Sequence, residues 1–418
     1  MTAHQTVTLA DAAAEPIHDA HSHVAYRALT PSTIGDVGLE LEFHLVDVNQ
    51  AARRVGWPQL TELLNAVPPL PGGSRVSVEP GGQLELSTPP YPGVVAAIDA
   101  LRRDQRVVSE VVGQAGLGLA CIGSDLARPV YRISPVSRYV AMERHLDAMG
   151  YGRWGRAMMA STAALQVNVN AGAVAGWARR LERIHRLGPV LVALSACSPM
   201  IGGHLSGWQS MRQQAWAGMD PARCGPLPSS TDPAQAWAGY ALSAPVMLLR
   251  NPGNGEAAPV TERVSFARWI ADPARFGRAP TSADLDYHLT TLFPPVRPRG
   301  YLEIRYLDAV PNPWWPALAA LTVTLLDDDI AADQVASLGL PFADAWTRAA
   351  RNGLHDSAIF AAAQSCAEIA ARRCPAELRP DVEAYTDLVA SRRTPGDLIR
   401  GRIAQTGPLA VLEEQAHA

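Results

Sequence analysis

Val37-Gly38-Leu39-Glu40-Leu41-Glu42-Phe43 alternates apolar and polar residues at the two-residue period of a β-strand. Successive side chains on a strand point to opposite faces, so Glu40 and Glu42 project together while Leu39, Leu41 and Phe43 point the other way. Three further stretches share this pattern. Ser77-Val78-Glu79 turns through Pro80-Gly81-Gly82 into Gln83-Leu84-Glu85-Leu86; Leu165-Gln166-Val167-Asn168-Val169 pairs an amide with an amide; Tyr301-Leu302-Glu303-Ile304-Arg305 pairs an acid with a base. Acids alternating on one strand also describe a solvated sheet face. The short Pro80-Gly81-Gly82 loop, however, brings Glu79 and Glu85 onto neighbouring strand ends, and four such strands occur together. If they join one sheet, Glu40, Glu42, Glu79, Glu85 and Glu303 crowd one surface, where repulsion and desolvation oppose folding unless cations neutralise them. Divalent metals meet that need economically.

Outward from these strands the chain reads as α+β. A helix is predicted over about 94–114, a strand over 117–121 and another over 163–170. Helices follow near 173–187, 189–197 and 206–217, then a loop from Asp220 to Gln235 whose closure over the site would protect a reactive intermediate from water. A strand at 245–249, a helix over 282–293 and the Glu303 strand come next. Beyond Pro313 apolar residues recur at helical spacing and no strand signal returns. The expected organisation is an N-terminal tail or early surface helix over 1–33, a catalytic α+β region over 34–313 and a helical layer over 314–418. The Gly113-x-x-Gly116-x-Gly118 run precedes a strand instead of following one, which makes it helix termination, not a dinucleotide loop. His18-x-x-His21-x-His23 has a zinc-like spacing but no partner motif.

Composition narrows the function. With 418 residues, 48% of them hydrophobic, the chain can bury a large core. A formal net charge of -4 gives no reason to expect nucleic acid or an anionic membrane as partner. No basic leader or membrane-length apolar run is present, so the chain reads as cytoplasmic. The five cysteines lack a CxxC spacing and their odd number argues against a closed disulfide framework. The sequence contains no lysine. A Walker loop and Schiff-base chemistry are thereby excluded, and any phosphate must be held by metal, arginine or backbone N–H groups.

These residues resemble the glutamate–cysteine ligases, in particular the plant-like type and its actinobacterial relatives of the ergothioneine pathway. The resemblance rests on Gly38-Leu-Glu40-Leu-Glu42-Phe43, Glu79-Pro-Gly-Gly-Gln-Leu-Glu85-Leu-Ser87, Leu165-Gln166-Val-Asn168, Ser210-Met-Arg212-x-x-x-Trp216, His288-Leu-Thr-Thr-Leu-Phe293-Pro with Arg297, and Tyr301-Leu-Glu303-Ile-Arg305, in the family's order. It implies a glutamine synthetase-like fold: a curved antiparallel sheet with the active site on its concave face and helices packed outside. It implies that ATP phosphorylates the side-chain carboxylate of glutamate and that the amine of cysteine then displaces phosphate. By the same resemblance Glu40, Glu42, Glu79, Glu85, Gln166 and Glu303 would hold Mg2+, or Mn2+ in its place, although some bacterial ligases carry histidine where Gln166 stands. Arg305 would meet the transferring phosphoryl group, with Glu303 beside it as a catalytic residue. Arg138 and Arg212 would contact phosphate or substrate carboxylate, and Asn168 substrate or ATP unless it is a strand-edge hydrogen-bonding residue. Arg297 is also readable as a surface arginine near a turn, and His288 as a packing residue. A γ-glutamate ligase using another amine, a metal-dependent hydrolase and a non-catalytic binding protein are the alternatives.

Overall fold

The alternating run around Glu40 becomes the twelve-residue strand β1 (Asp36–Asp47) in the computed structural model, which describes residues 19–251, 253–338 and 345–417. Around it assemble β2 (Arg75–Val78), β3 (Leu84–Ser87), β4 (Tyr91–Pro92), β5 (Leu117–Ala120), β6 (Ala164–Val169), β7 (Val296–Pro298) and β8 (Leu302–Asp308). The eight strands form one antiparallel sheet in the order β7-β8-β6-β1-β3-β2, with β4 and β5 also paired to β1. Register fixes which side chains meet. Glu40 lies opposite Gln166 and Ser87, Glu42 opposite Glu85, Ser77 opposite Glu85, and Glu303 opposite Asn168. Directly opposed residues share a face, so the polar residues of four separate strands are gathered on one surface.

The other face is apolar for the same reason. Leu39, Leu41, Phe43, Leu84, Leu86, Leu165, Val167, Leu302 and Ile304 are wholly buried, in one core with the helices Gly93–Gln114, Trp177–Ser195 and Trp314–Asp327. From 314 the described chain is helical, as its periodicity predicts, and it returns to the sheet: the helix Pro408–His417 packs on β5, where a Cβ at Gly118 would lie 2.2 Å from the Ala416 carbonyl oxygen.

Several local expectations shift. One helix, Trp177–Ser195, replaces the predicted pair, with Pro189 inside it. Proline removes one helical hydrogen bond, but residues 187–195 are buried and their packing keeps the helix continuous. The helix expected from 206 begins at Met211, where the Ser210 side chain caps it by accepting from Gln213 N. The Asp220–Gln235 segment is partly helical and its start is anchored. Arg223 is fully buried and donates to the Thr291 and Pro245 carbonyls. Ala20–Ala28 is a helix with Val24 and Ala28 in the core. His23 pairs with Asp286 at 2.7 Å, whereas His18 lies outside the described residues.

Candidate active site

The gathered polar face is the floor of a cavity of about 240 Å3. Glu40, Glu42, Glu79, Glu85, Gln166, Arg138, Arg212 and Arg305 line it, together with Arg75, Arg297 and Arg299. Met142, Met158, Met159, Trp216 and Phe293 form an apolar wall. Asn168 and Glu303 lie beside these residues and hold them. Asn168 Nδ2 donates to Glu40 Oε1 at 2.9 Å, and Gln166 Nε2 donates to Glu40 Oε2 at 3.1 Å. Glu42 accepts from Ala164 N at 2.9 Å, and Glu85 accepts from the Ser77 and Ser87 hydroxyls at 2.8 and 2.9 Å.

Glu79 reaches the floor through its turn. Glu79 N donates to the Gln83 carbonyl at 2.8 Å and Gly82 N to the Glu79 carbonyl at 2.9 Å, with Gly82 at φ +85°. Glycine supplies that left-handed conformation without strain. At Gly81 the need is for space: a Cβ there would lie 2.2 Å from the Ala160 carbonyl oxygen.

The cationic side is built on one acid. Glu303 is wholly buried and accepts from Arg297 Nε at 2.6 Å and Nη2 at 3.0 Å, from Arg299 Nη1 at 3.1 Å and from Arg305 Nη1 at 3.0 Å. Arg305 Nη1 also donates to Gln166 Oε1 at 2.7 Å. Arg305 Nε and Arg212 Nη1 are buried without a hydrogen-bond partner. Arg138 donates to the Thr290 carbonyl and lies over the Tyr287 ring.

Two electrostatic regimes therefore meet in one cavity. Burial, then repulsion from Glu85 and Glu303, raises Glu40 to about 7; burial and Glu85 raise Glu79 to about 8. Glu42 is pushed well above the usual carboxylate range by burial and by Glu79. Burial acts on Glu303 in the same sense, but the Arg297 and Arg305 guanidinia hold it far below that range. Glu40, Glu42 and Glu79 are thus only partly compensated by Arg305, Arg212 and Arg138, while Glu303 is fully compensated. Hard oxygen donors with surplus negative charge fit a magnesium-type cation. Among the described residues no group of three or more His, Cys, Asp or Glu side chains is drawn together as a metal cage. The acids line the cavity at spread positions.

The profile described as Glutamate-cysteine ligase family 2 matches residues 36–415. This chain belongs to that glutamate–cysteine ligase family. It is 48% identical over 400 residues to the glutamate–cysteine ligase EgtA of Mycolicibacterium smegmatis, covering 95% of this chain and 94% of the relative. The EgtA of Mycobacterium tuberculosis (strain H37Rv) is 48% identical over 401 residues, covering 95% and 93%. In fold the chain is similar to the crystal structure of a glutamate–cysteine ligase from Francisella tularensis in complex with AMP, with TM-score 0.57 and 15% identity over 93% of this chain and 88% of that one.

For this ligase-family member the cavity collects most of the residues that the strand alternation singles out. Arg297 is a largely enclosed partner of Glu303, with 11% of its side chain exposed, not a surface arginine. His288 is a packing residue, buried with Nε2 hydrogen-bonded to the Ala241 carbonyl at 2.9 Å. Arg75 and Arg299 fall in period-two step with Glu79 and Glu303 but lie outside the stretches that their acids mark, and the methionine wall carries no periodic signal. Arg75 and Arg299 could have been found only by extending the strand faces of Glu79 and Glu303 beyond the acids.

Proposed function

We propose that this chain is an ATP-dependent glutamate–cysteine ligase. A γ-carboxylate oxygen of glutamate attacks the terminal phosphorus of ATP, ADP leaves, and the cysteine amine then attacks the acyl carbon, releasing phosphate and a proton to give γ-glutamylcysteine. The carrying observation is the single cavity in which undercompensated acids face arginines with unspent donors. Glu40, Glu42, Glu79, Glu85 and Gln166 would hold magnesium, or manganese in its place. The bound cation supplies charge neutralisation between ATP and the acceptor carboxylate. A direct ligand role for Glu303 would require Arg297 or Arg299 to yield one of its oxygens. Its hydrogen bond from Arg305 Nη1 supports another role, orienting that guanidinium toward the cavity.

Arg305 carries a fixed planar charge suited to oxygens of a phosphoryl group in transfer, where a donor counts most if charge develops there. Arg138 and Arg212 serve anionic oxygens of ATP or glutamate, and Asn168 fixes Glu40. The apolar wall excludes water that would hydrolyse the acyl phosphate. We further place the product in ergothioneine biosynthesis, after the EgtA relatives, and the enzyme in the cytoplasm. In support of the cytoplasm, all five cysteines are free, and among the described residues no helix is long and apolar enough to cross a membrane. Residues 34–313 form the catalytic unit in this reading, with 314–418 as its helical layer.

The test is phosphate release from magnesium-ATP with glutamate, with and without cysteine, followed by mass analysis. Cysteine-dependent ADP and γ-glutamylcysteine are expected. Turnover only with another amine would replace the acceptor, and no ATP consumption with any amine would overturn the ligase reading.

A further inference from the structure

Strict alternation along β8 puts Glu303, Arg305 and Leu307 on the cavity face and sends Asp308 to the apolar side. The pairing says otherwise. Ile304 lies opposite Val167, yet Leu307 lies opposite Leu165 and Asp308 opposite Ala164, so three steps along β8 match two along β6. An inserted residue of this kind is a β-bulge, which re-aims the side chains beyond it. Asp308 is thereby returned to the face of Gln166 and Asn168. The carbonyls of the bulge find donors on the helix Met211–Ala217: Arg212 Nη2 bonds the Arg305 oxygen at 2.6 Å, and Gln213 Nε2 the Tyr306 oxygen at 2.8 Å.

Asp308 is 1% exposed and fully committed. Its Oδ2 accepts from Ser198 Oγ at 2.6 Å and Cys197 N at 3.0 Å, and its Oδ1 accepts from Ser210 Oγ at 2.9 Å. Ser198 Oγ in turn accepts from Arg212 N at 3.0 Å. Arg212 Nη1 stands 3.7 Å from Asp308 Oδ1, within ion-pair range but too far for a hydrogen bond. That nitrogen, itself buried on a side chain that is 3% exposed and lines the cavity, has no hydrogen-bond acceptor. A buried guanidinium nitrogen without an acceptor is costly to maintain, and the arrangement makes sense when an incoming anion completes it. There is no slack behind Asp308: a Cβ at Gly123 would lie 2.8 Å from its Cβ and Cγ.

We propose that Asp308 is a positioning residue: held by Ser198, Ser210 and the Cys197 amide, it backs the Arg212 guanidinium and aims Nη1 at an anionic oxygen of a substrate. This rests on the ligase reading above and deepens it. The ligand is a carboxylate or phosphate oxygen, which share this chemistry. Asp308 itself touches no reactant.

Asp308→Asn keeps the shape and removes the charge. Kinetics of this variant, of Arg212→Ala and of the double variant are compared with the unsubstituted enzyme, with thermal unfolding measured on each. The expected result is a loss of on the order of tenfold in kcat/KM in the single Asp308→Asn variant, with no further loss when it is added to Arg212→Ala. A rise in KM for glutamate assigns the oxygen to the carboxylate, a rise in KM for ATP to its phosphates, and a fall in kcat alone to the group in transfer. Unchanged kinetics, or the same fold-loss with and without Arg212, would overturn the proposal and leave Asp308 a purely structural tie. If Asp308→Asn does not fold, Ser198→Ala removes one bond each from Asp308 and Arg212 N; the same parameter is expected to move, and wild-type kinetics would overturn the proposal. An unsubstituted enzyme that forms dipeptide keeps the ligase reading whatever the variants do, whereas one that consumes no ATP removes both.

Discussion

Raising the pH from 6 to 8 in the presence of magnesium tests the cavity's charge balance directly. Glu40 is raised to about 7 and Glu79 to about 8. A carboxyl whose folded-state value is raised stays protonated in the folded chain well above its ordinary range, and its proton is lost only as pH rises through that value. A cation binds the ionised form, so it must displace these protons at pH 6 and meets much less competition from them at pH 8. Competition at Glu40 alone weakens apparent affinity about tenfold at pH 6, and treating Glu79 as a second independent site carries the effect to a few hundredfold. Because the acids repel one another, a value between these limits is expected. Glu303 contributes nothing in this window, since its arginines keep it ionised throughout. The assay is calorimetric titration with magnesium or manganese in two buffers of different ionisation enthalpy, which also counts protons released. An affinity constant within about threefold between pH 6 and 8, with no proton release, would refute the reasoning.

Arg305→Ala is expected to leave ATP binding largely intact and to lower turnover by on the order of a hundredfold or more, read from steady-state kinetics beside nucleotide titration. Glu40→Gln removes one surplus charge, so nucleotide binding in the presence of magnesium should weaken and the pH dependence of cation affinity should shrink; equal affinities in variant and parent would count against its role. Gly81→Ala places a Cβ 2.2 Å from the Ala160 carbonyl oxygen, which has no flexible end to move aside. A loss of on the order of 2 kcal/mol or more is expected from denaturant unfolding, with reduced activity because the same turn delivers Glu79. An unchanged midpoint would mean the turn tolerates the displacement.

The acids of the site are legible because a strand declares its two faces locally. Glu40, Glu42, Glu85, Gln166 and Asn168 follow from period-two alternation, and the Pro80-Gly81-Gly82 turn follows from residues that can bend the chain tightly. Glu303 shows the limit of that reading. Its position is visible in the sequence, but its partner Arg297 emerges only when β7 pairs with β8, which sets Arg297 directly opposite Glu303. Pro189 is similar, since local propensity predicts a break that burial overrides.

The sequence by itself determined strands that each carry acids or amides along one face, arginine as the sole strong cation and a helical C-terminal region, because periodicity and composition are properties of neighbouring residues; the antiparallel sheet was what the family resemblance implied. Tertiary structure decided which acids are neutralised by arginines and which keep surplus negative charge, and through the bulge after Ile304 it decided that Asp308 stands behind Arg212. Strand register and charge pairing join residues far apart in the chain, and burial multiplies the energy of those pairings in a way no local pattern records.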